Sequence, residues 1–182
     1  MRISYIIFLL IFYIYQTGSL HSATFETLKE WRSGAWTAAL YNNVNGNRKF
    51  CALESVSDDG SVIFRINMYE KNKDAFLEIF SEEWNKIEGN FPFILRYDFD
   101  NGMDGKYIGY RAEVKFDGQS DKNSYYYDFS EREKFYSTLG FIMYATKIEV
   151  LDSNEKIIAS YAMSGSNRAV EKFKMCLNDY VF

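Results

Sequence analysis

The sequence predicts a mainly β protein: an antiparallel β sandwich or barrel-like domain with a C-terminal α-helix, following a cleaved signal peptide. The first observation is composition, because 15 Tyr and 16 Phe stand against one Pro, and aromatic residues favour strands. The second is that short apolar runs alternate with turns rich in Asn, Gly and Asp. The third is an amphipathic helical pattern in the last part of the chain.

The N-terminus has the features of a secretory signal peptide over residues 1–22. Arg2 gives a positive start, an apolar run follows at residues 3–15, and small or polar residues continue to Ala23. The apolar run is shorter than the roughly 20 residues that span a membrane, so we expect no stable membrane span after cleavage. The remainder, residues 24–182, is predicted to be a single disulfide-bonded domain that is periplasmic or secreted.

Nine strands are predicted from the runs between the turns. They cover residues 35–41, 49–53, 61–69, 75–80, 91–99, 106–116, 124–129, 144–151 and 157–163. Residues 61–69 give the clearest alternation, with apolar side chains at Val62, Phe64, Ile66 and Met68. The strongest turn signal is Asn45-Gly46, and the last two strands are predicted to form a hairpin around residues 152–155.

Two helices are predicted. Ser130 and Glu133 fit a capping box, which predicts a short helix that ends at Leu139, before Gly140. Residues 167–178 have the stronger helical pattern, and their apolar side chains fall on one face. That face consists of Ala169, Val170, Phe173, Cys176 and Leu177.

The two cysteines predict one disulfide. Cys51 lies on an early strand and Cys176 lies on the apolar face of the C-terminal helix. An even number of cysteines in an exported domain usually means that they pair. Two free, buried thiols are the alternative.

No catalytic, cofactor or metal site is predicted. His21 is the single histidine and lies beside the predicted cleavage region, so a mature chain has no Ser-His-Asp or Cys-His arrangement. Paired cysteines are also unavailable as zinc ligands. Asp98, Asp100 and Asp104 suggest a calcium loop, but the spacing of the Gly and Glu positions does not fit one, and we interpret this segment as a hairpin turn.

Charge argues against a nucleic-acid partner. Without Arg2, the predicted mature chain has 20 basic and 25 acidic residues, a net charge of −5. Nucleic-acid binding usually requires a basic face, and the basic residues here are interspersed with acidic ones.

Tyr125-Tyr126-Tyr127 is the predicted partner-binding surface. At least one of three consecutive strand residues faces outward, and Tyr is enriched at binding interfaces. The alternative is that these rings pack on the sheet and place their hydroxyl groups at its solvent edge.

A set of motifs resembles a known family of exported proteins. The motifs are Trp36 at the start of a strand, Phe50-Cys51-Ala52, Trp84, Ile148-Glu149-Val150, and the ending Tyr161-Ala162-Met163-Ser164-Gly165-Ser166 with Ala169 and Cys176. Over residues 31–178 the chain is similar to small, β-rich alphaproteobacterial proteins of the invasion-associated locus B family. The resemblance implies an extracytoplasmic location and association with a host, and it implies no catalytic chemistry.

These observations predict an exported, non-enzymatic binding protein that acts through protein–protein contacts, as a host-associated effector or virulence factor. Its partner is expected in the bacterial envelope or in a host. Two alternatives remain open. One is a carboxylate-dependent hydrolase of the envelope, and the other is a structural component of the envelope or of a secretion system.

Overall fold

A computed structural model describes residues 25–44, 48–70, 73–82, 84, 89–100, 107–119 and 123–182. The predicted signal peptide, the Asn45-Gly46 turn and the loop at residues 101–106 lie outside the described residues. The two strands beside that loop pair with each other up to Asp100 and Tyr107, as the predicted hairpin requires.

The described residues form one antiparallel sheet of ten strands and two helices. The strands are β1 (Phe25–Ser33), β2 (Trp36–Asn43), β3 (Arg48–Val56), β4 (Ile63–Tyr69), β5 (Ala75–Phe80), β6 (Gly89–Asp100), β7 (Tyr107–Gln119), β8 (Ser124–Asp128), β9 (Lys147–Leu151) and β10 (Ile157–Ala162). The helices are α1 (Arg132–Tyr144) and α2 (Ser166–Tyr180). The predicted mainly β fold with a C-terminal helix is confirmed.

The strands are not in chain order across the sheet. Their order is β1-β2-β3-β4-β5-β8-β7-β6-β9-β10. The first five strands therefore form a simple meander, in which each strand pairs with the next. The chain then crosses to β6 and returns through β7 and β8, so that β8 pairs with β5 and β9 pairs with β6.

One strand was missed by the sequence prediction, and some of the predicted strands begin later than expected. The missed strand is β1, which pairs with β2 along its length but is exposed at most of its residues. Its side chains are largely polar, so the alternation that identifies a half-buried strand is absent. The predicted strand at residues 144–151 begins at Lys147, because Tyr144 is the last residue of α1.

The predicted capping box at Ser130 and Glu133 is wrong. Helix α1 has Glu131 as its N-cap residue, and no side chain caps it by a hydrogen bond. The helix also continues past Gly140 to Tyr144. It does so because Phe135, Leu139 and Ile142 are buried, and burial of an apolar face outweighs the roughly 1 kcal/mol that a glycine costs within a helix.

Helix α2 packs on the sheet as its pattern predicts. Its predicted apolar face is fully buried, from Ala169 to Leu177. The helix lies against β2 and β3, and it also contacts α1. Cys51 of β3 and Cys176 of α2 form a disulfide with a Cα–Cα distance of 6.0 Å, so the predicted pairing is confirmed.

The end of β10 packs against the turn between β1 and β2. Gly34 lies between β1 and β2, against the backbone of Ser164. Gly165 follows β10 and lies against the backbone of Ser33. Ala35 N–H donates to the Ser164 carbonyl oxygen at 2.9 Å. The Trp36 indole N–H likewise donates to the Ala162 carbonyl oxygen at 2.9 Å.

Candidate binding cleft

The described part of the sheet has a gap beside β7. Strand β7 pairs with β6 from Tyr107 to Gly118, but it pairs with β8 only through Asp117, Gly118 and Gln119. After β8 the chain turns away into α1. A cleft therefore opens between the remainder of β7 and the helix, and we call it the β7–α1 cleft.

The β7–α1 cleft has a volume of about 610 Å³, within the range of about 300–1,000 Å³ that is usual for ligand sites. Its lining comes from four strands (β5, β6, β7 and β8), from the segment that follows β8, and from α1. The lining residues are Leu77, Leu95, Tyr97, Tyr110, Ala112, Glu113, Val114, Tyr127, Phe129, Glu131, Glu133, Lys134, Ser137, Thr138 and Phe141. The walls are thus mainly aromatic and aliphatic. The charged residues are Glu113 on β7 and Glu131, Glu133 and Lys134 near the start of α1.

Aromatic rings from the strands and from α1 meet within the cleft. The ring centroids of Tyr110 and Phe141 are 4.5 Å apart, and those of Tyr97 and Phe141 are 5.3 Å apart. A second group contains Tyr127 and Phe129, with centroids 5.2 Å apart. Such rings give a rigid apolar surface, which loses little conformational entropy when a ligand binds.

Tyr97 is the unusual residue of this lining. Its side chain is 1% exposed, and its hydroxyl group has no hydrogen-bond partner within the described part of the chain. Burial raises the pKa of Tyr97 well above its usual value, so the group is neutral at physiological pH. A buried hydroxyl without a partner is unfavourable, and a ligand that supplied a partner would remove this cost.

Replacing Tyr97 by Phe should stabilise the free protein by about 1–2 kcal/mol, because the unpaired buried hydroxyl is removed while the ring remains. Tyr161 offers a matched control. It is also 1% exposed, its hydroxyl also lacks a partner among the described residues, and it does not line the cleft. Urea unfolding should therefore show stabilisation in both Tyr97→Phe and Tyr161→Phe, whereas ligand binding should weaken only in Tyr97→Phe.

The pH dependence of unfolding provides a second measurement on the same variants. Burial raises the pKa of both tyrosines in the folded state above the ordinary value of 10.0. The wild-type free energy of unfolding should then be constant through neutral pH and fall above about pH 10, where unfolded tyrosine ionises. Each Phe variant should show a smaller fall, and an equal fall would contradict the burial of the hydroxyl groups.

Carboxylates outnumber cations around the cleft. Glu113, Glu131 and Glu133 line it together with Lys134. Lys134 Nζ donates to Glu131 Oε1 at 2.9 Å, so one carboxylate is already paired with the one lining cation. The remaining charge favours a ligand that carries a positive group.

The three predicted binding tyrosines have different surroundings. Tyr125 is 5% exposed, and its ring packs edge-on against Trp84, Phe91 and Phe93. It is therefore part of the core. Tyr127 is half-buried and lines the β7–α1 cleft. A binding role for the tyrosines stays a prediction, and Tyr127 is the one that the cleft includes.

Tyr126 belongs to an aromatic row on the other face of the sheet. The row crosses six strands, and neighbouring ring centroids are between 4.9 and 6.2 Å apart. It consists of Phe25, Tyr41, Phe50, Tyr69, Phe76 and Tyr126. Such cross-strand aromatic pairs stabilise a sheet, which matches the sheet-packing alternative for Tyr126.

Outside the cleft, several carboxylates of the described residues form ion pairs with arginine. Arg65 Nε donates to Glu54 Oε1 at 2.7 Å, and Arg65 Nη1 donates to Glu78 Oε2 at 3.3 Å. Buried Glu149 pairs with Arg96 and with Lys147. The arginine ion pairs link neighbouring strands, whereas Lys147 and Glu149 pair within β9. In each case the carboxylate is neutralised by the cation that it contacts.

The described residues contain no group of three or more His, Cys, Asp or Glu side chains that could hold a metal ion. Within the same part of the chain, no helix is long and apolar enough to cross a membrane.

Comparison with protein-family models, with curated proteins and with solved structures found no match. The resemblance to the invasion-associated locus B family therefore stays a prediction.

Proposed function

We propose that this chain is an exported, non-enzymatic binding protein that holds part of a protein partner in the β7–α1 cleft. The observation that carries the proposal is the cleft itself, with a volume of about 610 Å³ and walls formed by Tyr97, Tyr110, Tyr127 and Phe141. Clefts that combine apolar walls with a few polar groups are the usual form of binding sites. Ser137 and Glu133 supply such polar groups.

Export supports a partner in the envelope or in a host. The N-terminal sequence predicts a signal peptide, and the Cys51–Cys176 disulfide is typical of proteins in oxidising compartments. Fractionation of the producing cells tests this part of the proposal. The protein should be found in the periplasm or the medium, whereas firm retention with the envelope would favour a structural component.

A bulky side chain on the α1 wall should block binding. Ser137 lines the cleft, so Ser137→Trp should fill it and weaken partner binding at least tenfold. Tyr136 is the next residue on the same helix; it is exposed and does not line the cleft. Tyr136→Trp is therefore the matched control and should bind as the wild type does.

The partner for this measurement is obtained by capture from envelope and host extracts on the immobilised, oxidised protein. Its affinity for the wild type and for the two tryptophan variants is then measured by calorimetry. Equal affinity of all three proteins would exclude the cleft as the binding site. Circular dichroism of both variants shows whether the fold is kept.

A carboxylate-dependent hydrolase is the second candidate, because three glutamates line the same cleft. Paired carboxylates act as general acid and base when they flank a bond to be broken. A turnover activity that is lost in Glu133→Gln and kept in Tyr136→Trp would favour this function over simple binding.

A further inference from the structure

We infer that the partner enters the β7–α1 cleft as an extended, basic polypeptide segment that adds a strand to the unpaired edge of β7. This inference rests on the proposed function, because it names the occupant of the same cleft. It is carried by three features of the described residues: the free backbone of β7, the alternation of its side chains, and the charge of the lining.

The backbone of β7 has an open edge along residues 107–116. These ten residues pair with β6 and not with β8, and residues 109–116 make no other backbone hydrogen bond within the described chain. In an antiparallel strand with one neighbour, alternate residues direct their N–H and C=O groups to the open side. Ten residues of strand present an edge of about 34 Å.

The other described edges of the sheet are less available for pairing. On β10, the carbonyl oxygens of Ser160 and Ala162 accept hydrogen bonds from Asp58 N–H and from the Trp36 indole. On β1, the register shifts between Thr27 and Lys29. Bulges of this kind discourage edge-to-edge pairing. The β7 edge is the one that lies open beside a cleft.

The side chains of β7 match an incoming strand. Tyr110, Ala112 and Val114 are alternate residues, and all three line the cleft. An added strand would place every second side chain on the same face of the sheet as these residues, facing Ser137 and Thr138 of α1. Those positions favour apolar side chains, because the walls they would contact are mainly apolar.

Charge complementarity favours a basic segment. The lining contains Glu113, Glu131 and Glu133 against Lys134, and Lys134 is paired with Glu131. The predicted mature chain is also acidic overall. Glu113 alternates with the cleft-facing residues of β7 and therefore lies on the opposite face, between Arg111 and Lys115. Among the described residues, the unpaired carboxylate of α1 is Glu133. A lysine or arginine on the cleft side of the segment, within reach of Glu133, would be attracted, whereas an acidic side chain there would be repelled.

The probe for this inference is a ten-residue peptide of five Lys-Val repeats, added to the oxidised, full chain. Two further peptides carry N-methyl groups, one on all valines and the other on all lysines. In an extended strand the valine amides all point to one edge and the lysine amides all point to the other. Methylation of the set that faces β7 should lower the affinity at least tenfold. The peptide methylated on the other set should bind as the unmodified peptide does. A Glu-Val peptide should bind at least tenfold more weakly at low salt.

Hydrogen exchange locates the contact on the protein. In the free chain, the alternate amides of residues 109–116 that do not bond to β6 should exchange rapidly. Addition of the Lys-Val peptide should slow those amides at least tenfold. Amides of β1 should keep their exchange rates and serve as the internal control.

The outcomes separate this inference from the proposed function. Equal binding of both methylated peptides would overturn strand addition and leave side-chain binding in the cleft intact. Absence of saturable binding by the unmodified Lys-Val peptide would also overturn it. The proposed function is then judged by whether Ser137→Trp loses the captured partner. A dimer that protects the β7 amides without peptide would identify a second copy of the chain as the occupant and contradict the inference.

Discussion

The free energy of unfolding should fall by about 4–5 kcal/mol when Cys51 and Cys176 are both replaced by Ser. The disulfide joins residues 125 positions apart. On the chain-entropy model, a loop of that length restricts the unfolded chain by an amount equivalent to about 5 kcal/mol. Small domains have a total stability of about 5–15 kcal/mol, so the loss would be a large part of the whole.

The measurement is urea unfolding of the wild type and of the double variant under oxidising conditions. Replacing both cysteines avoids a single free thiol, which could form a bond between two molecules. Wild-type protein unfolded with a reducing agent should match the double variant, because both lack the bond. A double variant whose stability lies within about 1 kcal/mol of the oxidised wild type would contradict the stabilising role of the disulfide.

Features that depend on local periodicity could be predicted from the sequence. The strand at residues 61–69 and the helix at residues 167–178 both bury the faces that their apolar residues define. The pairing of Cys51 with Cys176 was predicted from their even number together with the predicted export signal. The strand and the helix each needed one local periodicity, and the disulfide needed the cysteine count and the predicted compartment.

Features that depend on contacts between distant residues could not be predicted. Strand β1 has mainly exposed, polar side chains, and its pairing with β2 is visible only in three dimensions. Helix α1 runs through Gly140 because its buried face packs against the domain. The crossing from β5 to β8 has no local signal either, and that crossing separates β7 from β8 and opens the cleft.

The cleft residues illustrate the same limit. Tyr97, Tyr110 and Phe141 come from β6, β7 and α1, and nothing in their separate segments distinguishes them from other aromatic residues. The sequence pointed instead to the run of three tyrosines, of which Tyr125 is a core residue. A count of aromatic residues can predict that some of them form a binding surface, but the topology decides which.

The contact between the β1–β2 turn and the residues after β10 leads to the last expected result: Gly165→Ala should destabilise the fold by about 2–5 kcal/mol. Gly165 has a φ of +81°, and a Cβ atom there would lie 2.1 Å from the Ser33 carbonyl oxygen. A left-handed conformation costs a non-glycine residue about 1–2 kcal/mol. The steric overlap adds about 1–3 kcal/mol, because one of the two backbone segments must shift.

Gly60 isolates the steric part of this effect. Its φ is +80°, and a Cβ atom there would have no neighbour within 4 Å. Gly60→Ala should therefore lose only the conformational cost of about 1–2 kcal/mol. Equal losses in the two variants, measured by urea unfolding with the disulfide intact, would show that the contact between Ser33 and Gly165 is not tight. A larger loss in Gly165→Ala would show that this contact holds β10 against the β1–β2 turn. At this contact Ala35 N–H donates to the Ser164 carbonyl oxygen, and the Trp36 indole N–H donates to the Ala162 carbonyl oxygen.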